Sequence, residues 1–287
     1  MKPAPFVYHA PRDRSSAVSL LGSLPNAKVL AGGQSLVPML NMRYAAPDHV
    51  IDLNRVAGLA GVRIDEHAVE IGAMTRQVDL LESSELARRL PLVAAALRHV
   101  GHVQTRSRGT IGGSLCHLDP AAELPLVALV SDATLTAAGP RGERSIPAAE
   151  WARGFMAPAL APDEILVSIR FDLRGASGYG FHEFARRHGD FAIVAAAVLI
   201  ELDGERVARA RAALGGVGPT ALRLGALEAA LRGQQASRVG EVIGPALAAL
   251  EPVADAYYGA RYRRHLARVL AERAMRDAIG RAREAPR

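Results

Sequence analysis

Two pairs of adjacent glycines, each followed within two residues by a hydroxyl side chain, constrain this chain more than any other feature. They lie in Ala31-Gly32-Gly33-Gln34-Ser35 and Thr110-Ile111-Gly112-Gly113-Ser114. Glycine lacks a Cβ, so the backbone can approach a ligand closely and adopt positive φ. Consecutive N–H groups then converge on an anion as a nest. Residues 28–31 read as a strand entering the first pair, and Ser35 as the N-cap of a helix over 35–42, whose positive end adds to such a site. Two turns of this kind clamp the phosphates of a dinucleotide from both sides. Neither segment is G-x-G-x-x-G, and neither carries the G-K-[ST] of a P-loop, which disfavours a Rossmann fold or a Walker-type NTPase. Taken alone, either pair reads first as a tight turn between elements; the flanking residues decide.

The rest of the chain supplies mixed α and β structure. Residues 49–53 read as a second strand, 62–64 and 68–71 as a hairpin, and 133–137 with 144–146 as another. Thr75 is expected to cap a helix through residue 81, and Pro91 to open one through residue 100. The stretch 104–120 is glycine-rich and polar without a clean period, and reads as a long functional loop. A strand is expected over 164–171. Residues 174–180 hold three glycines and mark the expected domain boundary. Beyond it, strands are expected over 179–185, 191–202 and 206–214, the last two joined at Asp203-Gly204. Helices follow over 222–231 and 257–279, the last with a stripe of Tyr262, Leu266, Val269, Leu270 and Ala274. This order argues for an α+β protein of two domains.

Cys116 is the single cysteine among 287 residues. It excludes an intrachain disulfide, and the chain lacks the four thiolates an iron–sulfur cluster usually needs. If the protein works with such a cluster, another chain carries it. No apolar run reaches the ~18 residues that suggest a membrane span, and the N-terminus lacks the apolar core of a signal peptide. The chain reads as soluble and cytoplasmic. Residues 261–287 carry nine arginines against three acids, which accounts for the whole net charge of +6.

The residues around the glycine pairs are specific. Arg106-Ser107-Arg108-Gly109 precedes the second pair, and Asp119-Pro120-Ala121-Ala122-Glu123-Leu124-Pro125 follows it. Gly189-Asp190-Phe191-Ala192 lies further on. With A-G-G-Q-S and R-G-T-I-G-G-S, these blocks make the chain resemble the medium, FAD-binding subunit of the carbon monoxide dehydrogenase and xanthine dehydrogenase family along essentially its whole length. The resemblance implies an FAD-binding domain of the PCMH type over residues 1–175, with subdomains at about 1–57 and 58–175. A smaller α+β C-terminal domain, an antiparallel sheet plus helices, follows over 176–287. It implies that the two glycine segments hold the FAD pyrophosphate and adjoining parts. Glu123 matches an acidic position that reaches the cofactor, and also reads as a helix N-terminal carboxylate. Leu166 matches an apolar position near the adenine end, and Phe191 the position that packs on the flavin ring. A lysine often precedes Gly189-Asp190 in relatives; here His182, Arg186 and Arg187 are the candidates for its place, and His182 is included among the expected cofactor residues. Ser107, Cys116 and Leu118 depart from the residues common in relatives.

The implied role is electron transfer: FAD on this chain takes electrons from an iron–sulfur small subunit, a molybdopterin large subunit oxidises the substrate, and the assembly is a dimer of heterotrimers. The rivals are a self-sufficient FAD oxidase or dehydrogenase and a flavin-free assembly protein. No catalytic side chain and no metal ligand is assigned. His99 and His102 read as solvated or capping, His117 and Asp119 as loop structure, and Cys116 as a small buried residue. The basic C-terminal helix is expected to dock on its own domain rather than on nucleic acid.

Overall fold

The computed structural model describes residues 1–173 and 178–284. The first lobe is a parallel three-stranded sheet of β1 (Val7–His9), β2 (Ala27–Leu30) and β3 (His49–Asp52) in the order β1-β3-β2, with α1 (Arg14–Ser23) and α2 (Leu36–Asn41) as its crossovers. Parallel neighbours cannot be joined by a tight hairpin, so each connection carries a helix. Asp13 caps α1, its carboxylate accepting from Ser16 N at 2.8 Å.

The second lobe opens with β4 (Val62–Ile64) and β5 (Ala68–Gly72). Six helices follow: α3 (Gln77–Glu82), α4 (Ser84–Arg89), α5 (Pro91–Leu97), α6 (Val103–Arg108), α7 (Ile111–His117) and α8 (Glu123–Val130). The chain then returns through β6 (Thr134–Gly139), β7 (Gly142–Pro147), α9 (Ala148–Trp151), the small pair β8 (Ala152–Gly154) and β9 (Ala157–Pro158), and β10 (Ile165–Asp172). The sheet is antiparallel, in the order β4-β5-β10-β6-β7. Ala17, Val18, Ile51 and Leu53 of the first lobe share one apolar cluster with Met74, Ala138, Ile165 and Val167 of the second, so the two lobes are packed together.

The C-terminal sheet has the order β11-β12-β13-β14, from β11 (Gly178–Ala185), β12 (Ala192–Asp203), β13 (Arg206–Gly215) and β14 (Leu222–Arg223). It is followed by α10 (Gly225–Leu231), α11 (Val239–Leu247) and the 25-residue α12 (Ala260–Glu284). Alternation along β12 divides its two faces. Ala195 and Ala197 join the core of the second lobe, whereas Ala196, Val198 and Ile200 face a core built with α10, α11 and α12. The basic C-terminal helix docks on its own domain through Leu266, Ala267, Leu270, Ala271, Ala274 and Met275. Tyr262, expected in that stripe, is instead 40% exposed, and the helix begins three residues later than expected.

Several local expectations are corrected. Stretch 104–120 is not a loop but holds α6 and α7; both are under two turns long, too short for a hydrophobic period to show. Thr75 does not cap α3, because its hydroxyl is committed to Gly61 N and O at 2.9 and 3.0 Å. Residues 222–231 split into β14 and α10. The boundary expected within 174–180 falls partly outside the described residues. Of its glycines, Gly178 and Gly180 lie within β11, where an added Cβ would sit 1.9 Å from the carbonyl oxygens of Ala278 and Ala274 respectively. At both positions the backbone of α12 lies directly on the strand.

Candidate functional site

The first glycine segment leaves β2 and turns into α2 with its donors open. Gly33 has φ +76°, the left-handed conformation that favours glycine. Among the described residues, no protein acceptor takes the N–H groups of Gly32, Gly33, Gln34 or Ser35. Ser35 occupies the N-cap position of α2 but makes no side-chain capping bond, so its hydroxyl is also uncommitted. Successive unpaired N–H groups make a concave donor surface for an anion. Ala31, Gly33 and Ser35 are half-buried, Gln34 is exposed and Gly32 is buried.

The second segment differs from the expectation. It is not a nest but the first turn of α7, and its donors are already satisfied. Ile111 N donates to Thr75 O at 3.1 Å, Gly112 N to Ala73 O at 2.8 Å, Ser114 N to Thr110 O at 3.2 Å, and Gly113 N to the capping hydroxyl of Thr110 at 3.0 Å. The Thr110 hydroxyl is a helix cap, and of the two segments expected to clamp the phosphates only the first has open backbone donors. What Thr110, Ile111, Gly112, Gly113 and Ser114 offer a ligand is shape. Gly112 is buried, and a Cβ on it would lie 2.6 Å from both Ala73 Cβ and Ala73 O. Gly113 is partly open, and a Cβ there would come 3.5 Å from Ala31 Cβ. The two segments, 79 positions apart at their first residues, are therefore neighbours in space. Open donors on one segment and a surface free of side chains beside it on the other fit the diphosphate of a dinucleotide such as FAD.

Glu123 is the first residue of α8 and 5% exposed. Burial pushes its carboxyl up to about 8, and the nearby Glu183 and Asp119 carboxylates push the same way against its own backbone N–H. Leu166 lies at an irregularity in β10 and is buried in the core of the second lobe. Phe191 is 62% exposed just before β12. The preceding Gly189 packs against the ring of His102, at the entry to α6 and so toward the second glycine segment.

His182 requires a correction. Its ring lies 3.1 Å from Asp277 of α12, on the helix-covered side of the sheet. Strand alternation puts neighbouring Phe181 on the other side, in the core of the second lobe. Arg186 and Arg187 are exposed. The residue that β11 sends toward Glu123 is Glu183, whose side chain is 5% exposed, whose Oε1 is 3.5 Å from His99 Nδ1 and whose Oε2 has no hydrogen-bond partner. Strand parity relative to Phe181 is the one signal for it in the sequence. His99 thus pairs with a buried acid, and no cluster of three or more metal-binding side chains occurs among the described residues. Burial raises the Cys116 thiol to about 12, so it is not an activated nucleophile; burial also lowers the His117 pKa, against the nearby Asp119.

Comparison with known proteins places this geometry. The family model described as the FAD binding domain in molybdopterin dehydrogenase matches residues 4–171, and that of the CO dehydrogenase flavoprotein C-terminal domain matches residues 179–278. The chain is 40% identical to the 6-hydroxypseudooxynicotine dehydrogenase complex subunit alpha of Paenarthrobacter nicotinovorans, over 99% of this chain and 97% of the relative. It is 37% identical to the carbon monoxide dehydrogenase medium chain of Hydrogenophaga pseudoflava, over 98% and 99%. A solved structure of carbon monoxide dehydrogenase from Hydrogenophaga pseudoflava superposes with a TM-score of 0.94 at 39% identity, covering 98% of this chain and 99% of that one. Quinoline 2-oxidoreductase from Pseudomonas putida 86 superposes equally well, TM-score 0.94, at 32% identity over 98% and 99%. With a family model across the glycine segments and both lobes, and relatives matched end to end, the chain belongs to the FAD-binding medium subunits of the molybdopterin dehydrogenases, an oxidoreductase family.

Proposed function

We propose that this chain is the flavoprotein of a three-subunit molybdenum hydroxylase or dehydrogenase. An iron–sulfur small subunit delivers electrons to it, a molybdopterin large subunit oxidises the substrate, and two such heterotrimers assemble in the cytoplasm. Bound FAD supplies the redox chemistry, accepting electrons and handing them to an external acceptor. The observation that carries the reading is the run of unpaired N–H groups at residues 32–35 next to Gly113, which bears no side chain. In this reading the first segment holds the diphosphate through its backbone. The second packs against it, Leu166 shapes the adenine end, and Phe191, already exposed, covers the flavin ring and excludes water from it. Glu123 reaches the cofactor from the start of α8. The proposed domains are 1–175, with subdomains at about 1–57 and 58–175, and 176–287.

The single cysteine supports the division of labour, because four thiolates for a cluster must come from another chain. Purification of the natural assembly through a tag on this chain tests it. Iron, sulfide and molybdenum are expected to co-purify in fixed proportion to flavin. A preparation holding FAD but neither metal, with its flavin reduced directly by a substrate, would overturn the reading in favour of a self-sufficient oxidase or dehydrogenase.

A further inference from the structure

Asn54 and Arg76 join the two glycine segments through side chains outside both motifs. Asn54 follows β3. Its Nδ2 donates to Ala31 O at 2.8 Å, and its Oδ1 accepts from Arg76 Nη2 at 2.5 Å. Arg76 Nη1 donates to Arg108 O, the carbonyl just before Gly109. One guanidinium fork thus runs from the lead-in of the second segment to the asparagine that holds the lead-in of the first. The backbones touch where this fork closes: a Cβ on Gly32 would lie 2.2 Å from the same Arg108 oxygen.

The staple is itself braced. Asp52 Oδ1 accepts from Asn54 N at 2.8 Å, and Asp52 Oδ2 accepts from Tyr8 Oη at 2.5 Å. The backbone of Arg76 bridges to Thr110, with Gln77 N donating to Gly109 O at 2.9 Å. Partial burial and the neighbouring Arg108 lower the Arg76 pKa, while Asp79 and Asp52 oppose them; an arginine stays charged throughout. Two in-plane donors aimed at two acceptors are a geometry that lysine does not reproduce.

We propose that Arg76, held by Asn54, is a positioning residue for the dinucleotide: it fixes how the donors at 32–35 stand relative to Gly113, so that a diphosphate meets both segments at once. This rests on the FAD reading above. A pre-set arrangement matters because a ligand that must first order its own site binds more weakly by the cost of ordering. The fork spends its donors on protein acceptors, so it acts through the backbone segments it joins.

The test uses the full chain with Arg76→Ala, Arg76→Lys and Asn54→Ala. Dissociation constants for FAD and for riboflavin, which has no phosphate, are read from flavin fluorescence, with flavin-free melting curves alongside. Arg76→Ala is expected to weaken FAD roughly tenfold to a hundredfold, on the scale of a misplaced binding group. Riboflavin is expected to change less than about twofold. Arg76→Lys restores the charge but not the fork and is expected to stay close to the alanine variant; Asn54→Ala is expected to fall between wild type and Arg76→Ala. Unchanged FAD affinity in the variants, equal weakening of FAD and riboflavin, or full rescue by lysine would each overturn the proposal. Should Arg76→Ala fail to fold, Arg76→Lys and Asn54→Ala carry the same comparison. A wild-type chain that binds no FAD would remove the cofactor reading itself, whereas wild-type binding with unaffected variants removes the staple alone.

Discussion

Glu123→Gln separates the cost of a buried carboxylate from everything else that titrates. The wild-type carboxyl is held at about 8 by burial first and by Glu183 next, against an ordinary value of 4.5. A native-state pKa above the unfolded one means the folded chain keeps a proton that the unfolded chain has lost. The contribution to stability is therefore complete below pH 4.5 and is lost as pH rises through 8. Between pH 5.5 and pH 8.5 the loss is about 3 kcal/mol, from roughly 1.36 kcal/mol per pH unit over the part of that interval below the native pKa. For a chain of this size that is roughly 5–10 °C in melting temperature. Glutamine has the same shape and no proton to lose. Calorimetric melting of flavin-free wild type and Glu123→Gln at the two pH values, compared as a difference of differences, cancels the other titrating groups. The wild type is expected to lose the additional 5–10 °C and to melt below the variant at pH 8.5. Equal losses in the two proteins would refute the claim that this carboxyl is neutral in the fold.

Glu183→Gln removes the second cause of the same elevation, so the pH-dependent loss in calorimetric melting is expected to shrink without vanishing; an undiminished loss would show that burial acts alone. Gly180→Ala places a Cβ 1.9 Å from Ala274 O, forcing α12 off the sheet at a cost of about 1–3 kcal/mol or more, and a denaturation midpoint equal to wild type would contradict the close approach.

Strands were the most legible part of the chain. The hairpins at β4-β5, β6-β7 and β12-β13 follow from alternation and turn residues, because a period of two shows within five or six residues. The two helices within 104–120 do not show, since α6 and α7 have six and seven residues and the first turn of α7 contains both glycines. For the same reason the capping role of Thr110 is not legible in the sequence. Gly178 and Gly180 read only as part of a domain boundary, because a glycine that admits a neighbouring backbone is indistinguishable in sequence from one that frees its own. The motif residues 31–35 were placed by their glycines. Asn54, Arg76 and Glu183 become visible only when segments far apart in the chain are brought together, which no local pattern encodes. His182 went astray by one residue of strand parity, enough to send a side chain to the opposite face.

The most direct test is stoichiometric FAD on the donors at 32–35, next to Gly113. Titration of the purified chain with FAD, followed by gel filtration and absorption, is expected to give one flavin per chain. Gly113→Val, whose Cβ lies 3.5 Å from Ala31 Cβ and 2.9 Å from the Thr110 hydroxyl, is expected to emerge colourless with an unchanged circular dichroism spectrum. A wild-type chain that stays colourless, or a valine variant that keeps its flavin in full, would contradict it.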